Sequence, residues 1–206
     1  MLIDISPLVD ESINVWPGDT PFVQTVNVDM HAGANLTLSD IRTSVHVGAH
    51  ADAPSHYVTD GIDIASRRLD YYIGRCVVLH IRVRRGERIA PDHLNGKVVS
   101  APRVLLRTGT FPDPRRWNND FASLSPALID DFYQHGVMLI GIDTPSVDPF
   151  ESKDLEAHQA FARNDMAMLE GLVLDHVEEG EYELIAPPLR LRGADASPVR
   201  AVLRTF

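Results

Sequence analysis

Three of the nine histidines in the sequence lie within eleven residues of one another, with an aspartate among them. The segment reads His46-Val47-Gly48-Ala49-His50-Ala51-Asp52-Ala53-Pro54-Ser55-His56. Imidazole nitrogens and carboxylate oxygens bind zinc and similar divalent ions. A single histidine is most often an ordinary core or surface residue, but three of them beside an aspartate favour a metal site.

The spacing of these residues requires a bend in the chain. In an extended chain the even-numbered residues would point to one side. A straight strand at ~3.3 Å per residue, however, would hold the backbones of His46 and His50 ~13 Å apart, too far for two imidazoles that each bind one ion at ~2.1 Å. Gly48 suits a sharp bend, and Pro54 interrupts strand pairing before His56. We therefore expect a strand that runs into a curved loop. The two residues Gly48 and Pro54 also disfavour a helix that would carry His46 and His50 four residues apart.

Two histidines and one aspartate do not complete a metal site, so further ligands must come from elsewhere in the chain. The best candidates are His158, near the end of a predicted helix, and Glu170, which directly precedes the apolar residues 171–174. Burying an unpaired carboxylate is costly, and a nearby cation would offset that cost. For Glu170 taken alone, an exposed strand end is the better explanation from the sequence.

The elements that must position these residues are those of a strand-rich α/β protein. Apolar and polar residues alternate through residues 26–38 around a glycine-containing turn, which predicts strands. Ser125 and Pro126 begin a predicted helix over residues 126–134, and Gly136 ends it. The apolar run 137–142 predicts a strand buried on both faces. Further expected elements are a strand at 77–83, a helix over 152–162, and strands near 172–174, 183–185 and 198–203.

Length and composition indicate an ordinary globular protein. At ~150 residues per domain, 206 residues predict a single domain covering residues 1–206. Twenty-nine acidic against nineteen basic side chains give a net charge of −10, which opposes nucleic-acid binding. Apolar runs fall well short of the ~20 residues that span a bilayer, and the first residues lack the features of a secretory signal, so we expect a cytoplasmic protein without membrane partners. Cys76, beside Val77 and Val78, is expected to be a small buried hydrophobic residue.

Several motifs together resemble those of a known family. They are the segment 46–56 shown above, Trp16-Pro17-Gly18-Asp19 before it and Gly141-Ile142-Asp143-Thr144-Pro145-Ser146-Val147-Asp148-Pro149 after it. With Leu169-Glu170-Gly171-Leu172 and Ala194-Asp195-Ala196-Ser197-Pro198-Val199-Arg200, they resemble the cyclase-like metal-dependent hydrolases over nearly the whole chain. The resemblance is narrower to the bacterial kynurenine formamidase branch, in which Ala is usual at the position of Ala49, whereas the broader family often has Thr there.

The resemblance implies roles for individual residues. His46, His50 and Asp52 would bind a first metal ion, while Asp52, His158 and Glu170 would bind a second, with Asp52 and Glu170 bridging the pair. His56 would be the catalytic proton donor and acceptor, and Trp16 would line the pocket for an aromatic substrate.

The resemblance also implies a fold, an assembly and an activity. These are a swivelling β/β/α fold with a few short helices, a homodimer, and two divalent ions per subunit, zinc or alternatively manganese. The implied activity is the hydrolysis of N-formyl-L-kynurenine to L-kynurenine and formate during tryptophan breakdown.

Three other functions compete with this one. A serine hydrolase is disfavoured because no serine has a glycine two residues before it, so the G-x-S-x-G motif is absent. A family member that opens a cyclic amide, of the isatin type, would keep the same metal ligands and differ in its pocket. A non-catalytic metal-binding protein is a third reading, although a structural zinc site is normally closed by four protein ligands and needs no residue such as His56.

Overall fold

A seven-stranded mixed sheet runs through the centre of the protein, whose computed structural model describes residues 1–206. There are two α-helices, α1 (Pro126–Gln134) and α2 (Glu156–Arg163). The thirteen strands are β1 (Leu2–Asp4), β2 (Val23–Val28), β3 (Leu38–Arg42), β4 (His50–Asp52), β5 (Ile73–His80), β6 (Arg88–Ile89), β7 (Arg103–Arg107), β8 (Ser123–Leu124), β9 (Leu139–Ile142), β10 (Ala167–Leu169), β11 (Gly180–Ile185), β12 (Ala196–Pro198) and β13 (Val202–Arg204). The strand-rich α/β architecture predicted from the sequence is confirmed.

The central sheet has the strand order β1-β13-β11-β5-β7-β9-β10. Strands β5, β7, β9 and β10 are parallel, and β11, β13 and β1 pair antiparallel. Helix α1 connects to β9, and α2 connects β9 to β10, as expected for crossovers between parallel strands. Helix α1 has the predicted bounds: the hydroxyl of Ser125 accepts a hydrogen bond from the amide of Leu128, and Gly136 follows the helix with φ +80°.

Both faces of the central sheet are covered, so two hydrophobic cores lie on its two sides. In β5, Cys76 and Val78 belong to one core, and Val77 and Leu79 belong to the other. Strand β9 is buried along its whole length, as its apolar sequence predicted. Cys76 is fully buried, and burial raises the pKa of its thiol to about 12.

Three small two-stranded sheets lie outside the central one, and two of them bear on function. Strand β12 pairs antiparallel with β4 and so places the segment around Asp195 beside the histidine-rich segment. Strands β2 and β3 form the predicted hairpin, joined by a 3-10 turn at Met30–Ala32. All but one of the residues in β2 and β3 are exposed, so the hairpin stands away from the cores.

Several elements differ from their predictions. The strand expected at 77–83 is β5, which begins at Ile73 and ends at His80. Residues 172–174 are buried but form no strand, because Gly171 turns the chain at φ +67° after β10 and the backbone amides of Leu172 and Val173 donate to Ile142 and Ile5 instead. The single strand expected at 198–203 is two strands, β12 and β13, which belong to different sheets. Helix α2 begins at Glu156 rather than near residue 152, so its histidine lies in its first turn and not near its end.

No helix of this structure combines the length and the apolar character that crossing a bilayer requires.

Candidate metal centre

Five of the residues singled out from the sequence meet in one buried cluster. Strand β4 carries His50 and Asp52, α2 carries His158, and Glu170 follows β10. His50 and Glu170 exchange two backbone hydrogen bonds of 3.0 and 3.1 Å, so the ends of β10 and β4 lie side by side. His46 reaches the cluster from the turn before β4.

The bend expected between His46 and His50 is present, but the order of its parts differs from the prediction. Residues 45–49 form the bend, with Gly48 at φ +62°, and the strand follows at His50. The chain therefore runs from a turn into a strand, and then into a 3-10 helix at Pro54–His56, rather than from a strand into a loop. No α-helix joins the two histidines, in agreement with the sequence argument.

Asp52 lies at the centre of the cluster and faces three imidazoles. Its Oδ1 is 3.1 Å from Nδ1 of His46 and 3.5 Å from Nε2 of His50. Its Oδ2 is 3.4 Å from Nε2 of His158. Glu170 completes the group, with Oε2 3.2 Å from Nε2 of His50 and Oε1 3.8 Å from Nε2 of His158.

The buried carboxylate of Asp52 fits a cation better than it fits its protein neighbours. Both oxygens of Asp52 are inaccessible to solvent, yet neither receives a hydrogen bond of good geometry, although imidazole nitrogens lie close to them. A buried carboxylate without such partners is costly. Two atoms that each bind one zinc ion at ~2.1 Å in tetrahedral geometry are ~3.4 Å apart. The nitrogen-to-oxygen distances around Asp52 are close to this value, so the donor set fits divalent ions.

Each histidine of the cluster directs its second ring nitrogen to an oxygen outside the cluster. Nδ1 of His50 lies 2.9 Å from the carbonyl oxygen of Gly48, and Nδ1 of His158 lies 2.8 Å from Oδ2 of Asp148. Nε2 of His46 lies 3.0 Å from Oδ2 of Asp195. Since carbonyl and carboxylate oxygens accept, these contacts fix which nitrogen of each ring carries the proton and leave the other nitrogen facing Asp52.

The charges of the cluster shift three pKa values. Burial opposes ionisation of Asp52, but its contacts with His158 and His46 outweigh burial and hold its pKa well below the usual value. Burial also opposes protonation of His46 and His158. The carboxylates of Asp52 and Asp195 nevertheless raise the pKa of His46 to about 9, and Asp148 and Asp52 raise that of His158 to about 10. Without a cation, protons on these rings balance the buried negative charge.

His56 lies at the rim of the cluster and is less buried than its other members. Its ring centroid is 4.3 Å from that of His46 and 5.8 Å from that of His158, and one third of its side chain is exposed. Its Nδ1 is 3.1 Å from Oδ2 of Asp195. One ligand atom each from His46, Asp52 and His56 lie within 4.8 Å of one another, and so do those from His50, Asp52 and Glu170.

Sequence reasoning gave no role to two carboxylates that the structure places against the histidines. Asp148 accepts hydrogen bonds from the ring of His158 and from the amides of Ala157 and His158, so it also holds the start of α2. Asp195 contacts His46 and His56. Both lie within motifs noted in the sequence, but nothing in those motifs indicates which distant histidine each carboxylate would reach.

A cleft of about 380 Å³ opens beside the cluster and has an aromatic wall. Trp16, Trp117 and Phe111 line it. The ring centroid of Trp16 lies 5.3 Å from that of Trp117 and 5.0 Å from that of Phe150, so Trp16 also packs within an aromatic cluster. His46, His50, His56, His158 and Glu170 lie along the same cleft. The other histidines (His31, His80, His93, His135 and His176) take no part in this cluster.

The fold is shared with solved structures of low sequence identity. One is described as a potential metal-dependent hydrolase with cyclase activity: it is 23% identical, the match covers 98% of this chain and 96% of that chain, and the TM-score is 0.85. A predicted metal-dependent hydrolase from Bacillus stearothermophilus is 23% identical, with coverage of 98% and 97% and a TM-score of 0.82. Isatin hydrolase A from Labrenzia aggregata, bound to benzyl benzoate, is 20% identical, with coverage of 98% and 93% and a TM-score of 0.82. The expected cyclase-like fold is therefore confirmed.

A family model gives the corresponding sequence match. The model described as "Putative cyclase" matches residues 3–149, which include the whole histidine-rich segment and end one residue after Asp148.

Proposed function

The chain belongs to the cyclase family, and from this premise we propose that it is a metal-dependent hydrolase acting on the formyl amide bond of N-formyl-L-kynurenine. The products would be L-kynurenine and formate. The observation that carries the proposal is the carboxylate of Asp52, buried among three imidazoles beside a cleft with an aromatic wall.

We propose two divalent ions per subunit, zinc or manganese. His46, His50 and Asp52 would hold one ion, and Asp52, His158 and Glu170 would hold the other. Such ions, when bound, lower the pKa of bound water to about 7 and polarise a carbonyl oxygen. Glu170 is positioned for this role by the hydrogen bond of 2.7 Å that its Oε1 accepts from the amide of Val147.

His56 is proposed as the group that moves the proton. Hydrolysis breaks the C–N bond of the formamide, transfers a hydroxyl group from water to the formyl carbon, and requires a proton on the departing aromatic amine. A histidine within reach can accept a proton from the attacking water and then donate it to the nitrogen of the departing amine. Because Nδ1 of His56 faces Asp195, its Nε2 is the nitrogen left for this transfer.

The wall of the cleft accounts for the proposed preference for an aromatic substrate. Trp16 and Trp117 present large rings to the cleft in an edge-to-face arrangement. Aromatic rings pack favourably against such surfaces. A formylated aromatic amine therefore suits this cleft better than an aliphatic amide of the same size.

Two other functions compete with this one. The same ligands and an aromatic wall would suit the opening of a cyclic amide, and isatin hydrolases are among the proteins that share the fold. A non-catalytic metal-binding protein would need neither the cleft nor His56 at its rim. The cleft therefore favours an enzyme.

We also propose that the enzyme is a cytoplasmic homodimer, in which a second copy covers the β2–β3 hairpin. A two-stranded hairpin with both faces in water is marginally stable by itself. This one exposes Val26, Leu38 and Ile41, with 52%, 55% and 64% of their surfaces accessible. At the base of the hairpin the amide of Ser44 donates to the carbonyl of Thr20, and the neighbouring Asp19 lines the cleft, so a partner there would border the site.

The experiment that tests the proposed function is a substrate panel combined with metal analysis. Zinc- or manganese-loaded protein is expected to hydrolyse N-formyl-L-kynurenine faster than isatin and simple formanilides, and to lose activity on chelation. Faster opening of isatin would favour the cyclic amide. Full activity of metal-free protein would exclude the metal mechanism, and inactivity on the whole panel would favour the non-catalytic function.

A further inference from the structure

Asp195 joins two histidines of the site through one carboxylate oxygen. Its Oδ2 lies 3.0 Å from Nε2 of His46 and 3.1 Å from Nδ1 of His56. An ionised carboxylate only accepts hydrogen bonds, so each of these nitrogens must present its N–H to Asp195. These two contacts are the only hydrogen bonds that its side chain makes in the structure.

The backbone around Asp195 is held by the strands that also hold Asp52. The carbonyl of Asp195 accepts a hydrogen bond of 2.8 Å from the amide of Ala53, and the next residue, Ala196, pairs with Asp52 across β12 and β4. The carbonyl of Ala194 accepts from the amide of Ile64. The carboxylate is therefore fixed relative to the metal cluster although nearly half of its side chain is exposed.

The ring of His56 has no other hydrogen-bond partner in the structure. Without Asp195, its two neutral tautomers would differ little, and its ring could rotate toward solvent, because one third of its side chain is already exposed. A proton shuttle needs one nitrogen free and directed to the reacting group. An acceptor fixed at the other nitrogen provides both conditions.

We propose that Asp195 is a positioning residue that holds His56 in the tautomer protonated at Nδ1, with Nε2 free to exchange a proton in the cleft. This proposal rests on the proposed function for the use of that proton. The arrangement itself does not depend on which amide is cleaved.

The first test is spectroscopic and needs no substrate. Nitrogen-15 NMR of imidazole-labelled, zinc-loaded protein in mildly alkaline buffer reports which ring nitrogen of His56 is protonated, and the His56→Ala variant identifies its signals. We expect a single tautomer protonated at Nδ1, and in Asp195→Ala a mixture or the opposite tautomer. Asp92→Ala, which removes another exposed carboxylate, is expected to leave these signals unchanged. An unchanged tautomer in Asp195→Ala would overturn the proposal.

The second test separates His56 from His46. Because Asp195 also contacts the ligand His46, Asp195→Ala is assayed with saturating zinc. Its kcat is then expected to fall about 10- to 100-fold with little change in KM. The double variant Asp195→Ala with His56→Ala should be no slower than His56→Ala alone, because Asp195 acts through His56. Asp195→Asn, whose amide oxygen still accepts from Nδ1, should recover part of the rate. Loss of zinc with an unchanged His56 tautomer would overturn the proposal, since Asp195 would then serve His46. If wild-type protein cleaves no substrate of the panel, the proposed function fails, but the NMR result still decides the role of Asp195.

Discussion

Gly171 packs so closely against Gly48 that a Cβ atom on Gly171 would lie 2.3 Å from the carbonyl oxygen of Gly48. This contact joins the turn after Glu170 to the bend before His50, and so it holds two ligand-bearing segments at the distance that the metal cluster requires. The carbonyl of Gly48 also faces the ring of His50. Backbone packing therefore contributes to the geometry of the site as directly as the side chains do.

The variant Gly171→Ala is expected to separate these two segments. Its Cβ would collide with backbone, and its φ of +67° is unfavourable for alanine by about 1 kcal/mol or more. We expect a lower unfolding midpoint and loss of bound metal, measured by denaturation and metal analysis. Gly136→Ala is the matched control, because its φ is +80° but a Cβ would meet nothing within 4 Å. Equal loss of metal in both variants would contradict this account.

The metal-free protein should become less stable as the pH rises above about 6.5. The pKa values of His46 and His158 are raised to about 9 and about 10 in the folded protein, so their contribution is complete below the unfolded value of about 6.5 and disappears as pH passes through 9 and 10. Chelated protein, unfolded in urea at several pH values, will show this decline, and His158→Gln will reduce it. Metal affinity should rise with pH over the same range, since the histidine ligands must lose their extra proton before they bind a cation. A flat stability profile between pH 6.5 and 10 would contradict the assignment.

The variant His56→Ala should keep its metal and lose activity. Its side chain contacts Asp195 rather than Asp52, and general acid-base groups contribute about 10²- to 10⁴-fold to rate. Metal analysis and kcat of the variant measure the two effects. His135→Ala, at the exposed end of α1, is the control and should change neither. Loss of metal together with activity would instead make His56 a ligand.

Substitution of Trp16 should weaken binding of aromatic substrates. Aromatic pairs contribute about 1 kcal/mol beyond the area that they bury, so Trp16→Leu should raise KM roughly fivefold, while Trp16→Phe should keep most of the affinity. Steady-state kinetics with a formylated aromatic amine measure this change. Tyr133→Leu, an exposed aromatic residue on α1, is the control. A drop in kcat at constant KM would show that Trp16 acts on the chemical step instead.

Positive charges introduced by substitution on the β2–β3 hairpin should dissociate the proposed dimer. Val26→Lys combined with Ile41→Lys places two ammonium groups on surface that a partner would cover, and burying them unpaired is unfavourable. Light scattering on a sizing column should show a dimer for the wild-type protein and a monomer for the variant. Val98→Lys, at an exposed residue outside the hairpin, is the control and should stay dimeric. A wild-type monomer would exclude the homodimer.

The parts of the site that lie close together in the sequence could be predicted, and those that meet across the fold could be predicted less well. The segment from His46 to His56 contains its ligand types, its glycine and its proline, so both the cluster and its bend follow from local chemistry. His158 and Glu170 were candidates because of their residue types, but their distance from Asp52 depends on how α2 and β10 pack. Asp195 reaches His56 through the pairing of β12 with β4, which no local pattern specifies.

The fold shows the same division between local and long-range information. Helix α1 has its predicted bounds because Ser125, Pro126 and Gly136 determine its ends locally. Residues 172–174 are predicted as a strand but form none. Their apolar character indicates burial only, and a buried irregular segment has the same composition as a buried strand. Residues 198–203 have the pattern of one strand although they run from β12 into β13, because periodicity carries no information about which sheet a residue joins.

The two tryptophans of the chain, Trp16 and Trp117, both border the cleft and lie in edge-to-face contact. The tryptophan fluorescence of the protein, excited selectively at the red edge of the absorption band, therefore reports only on the surroundings of the site. Ligand entry can be followed by quenching or a wavelength shift in unlabelled protein, on a stopped-flow timescale and without waiting for product.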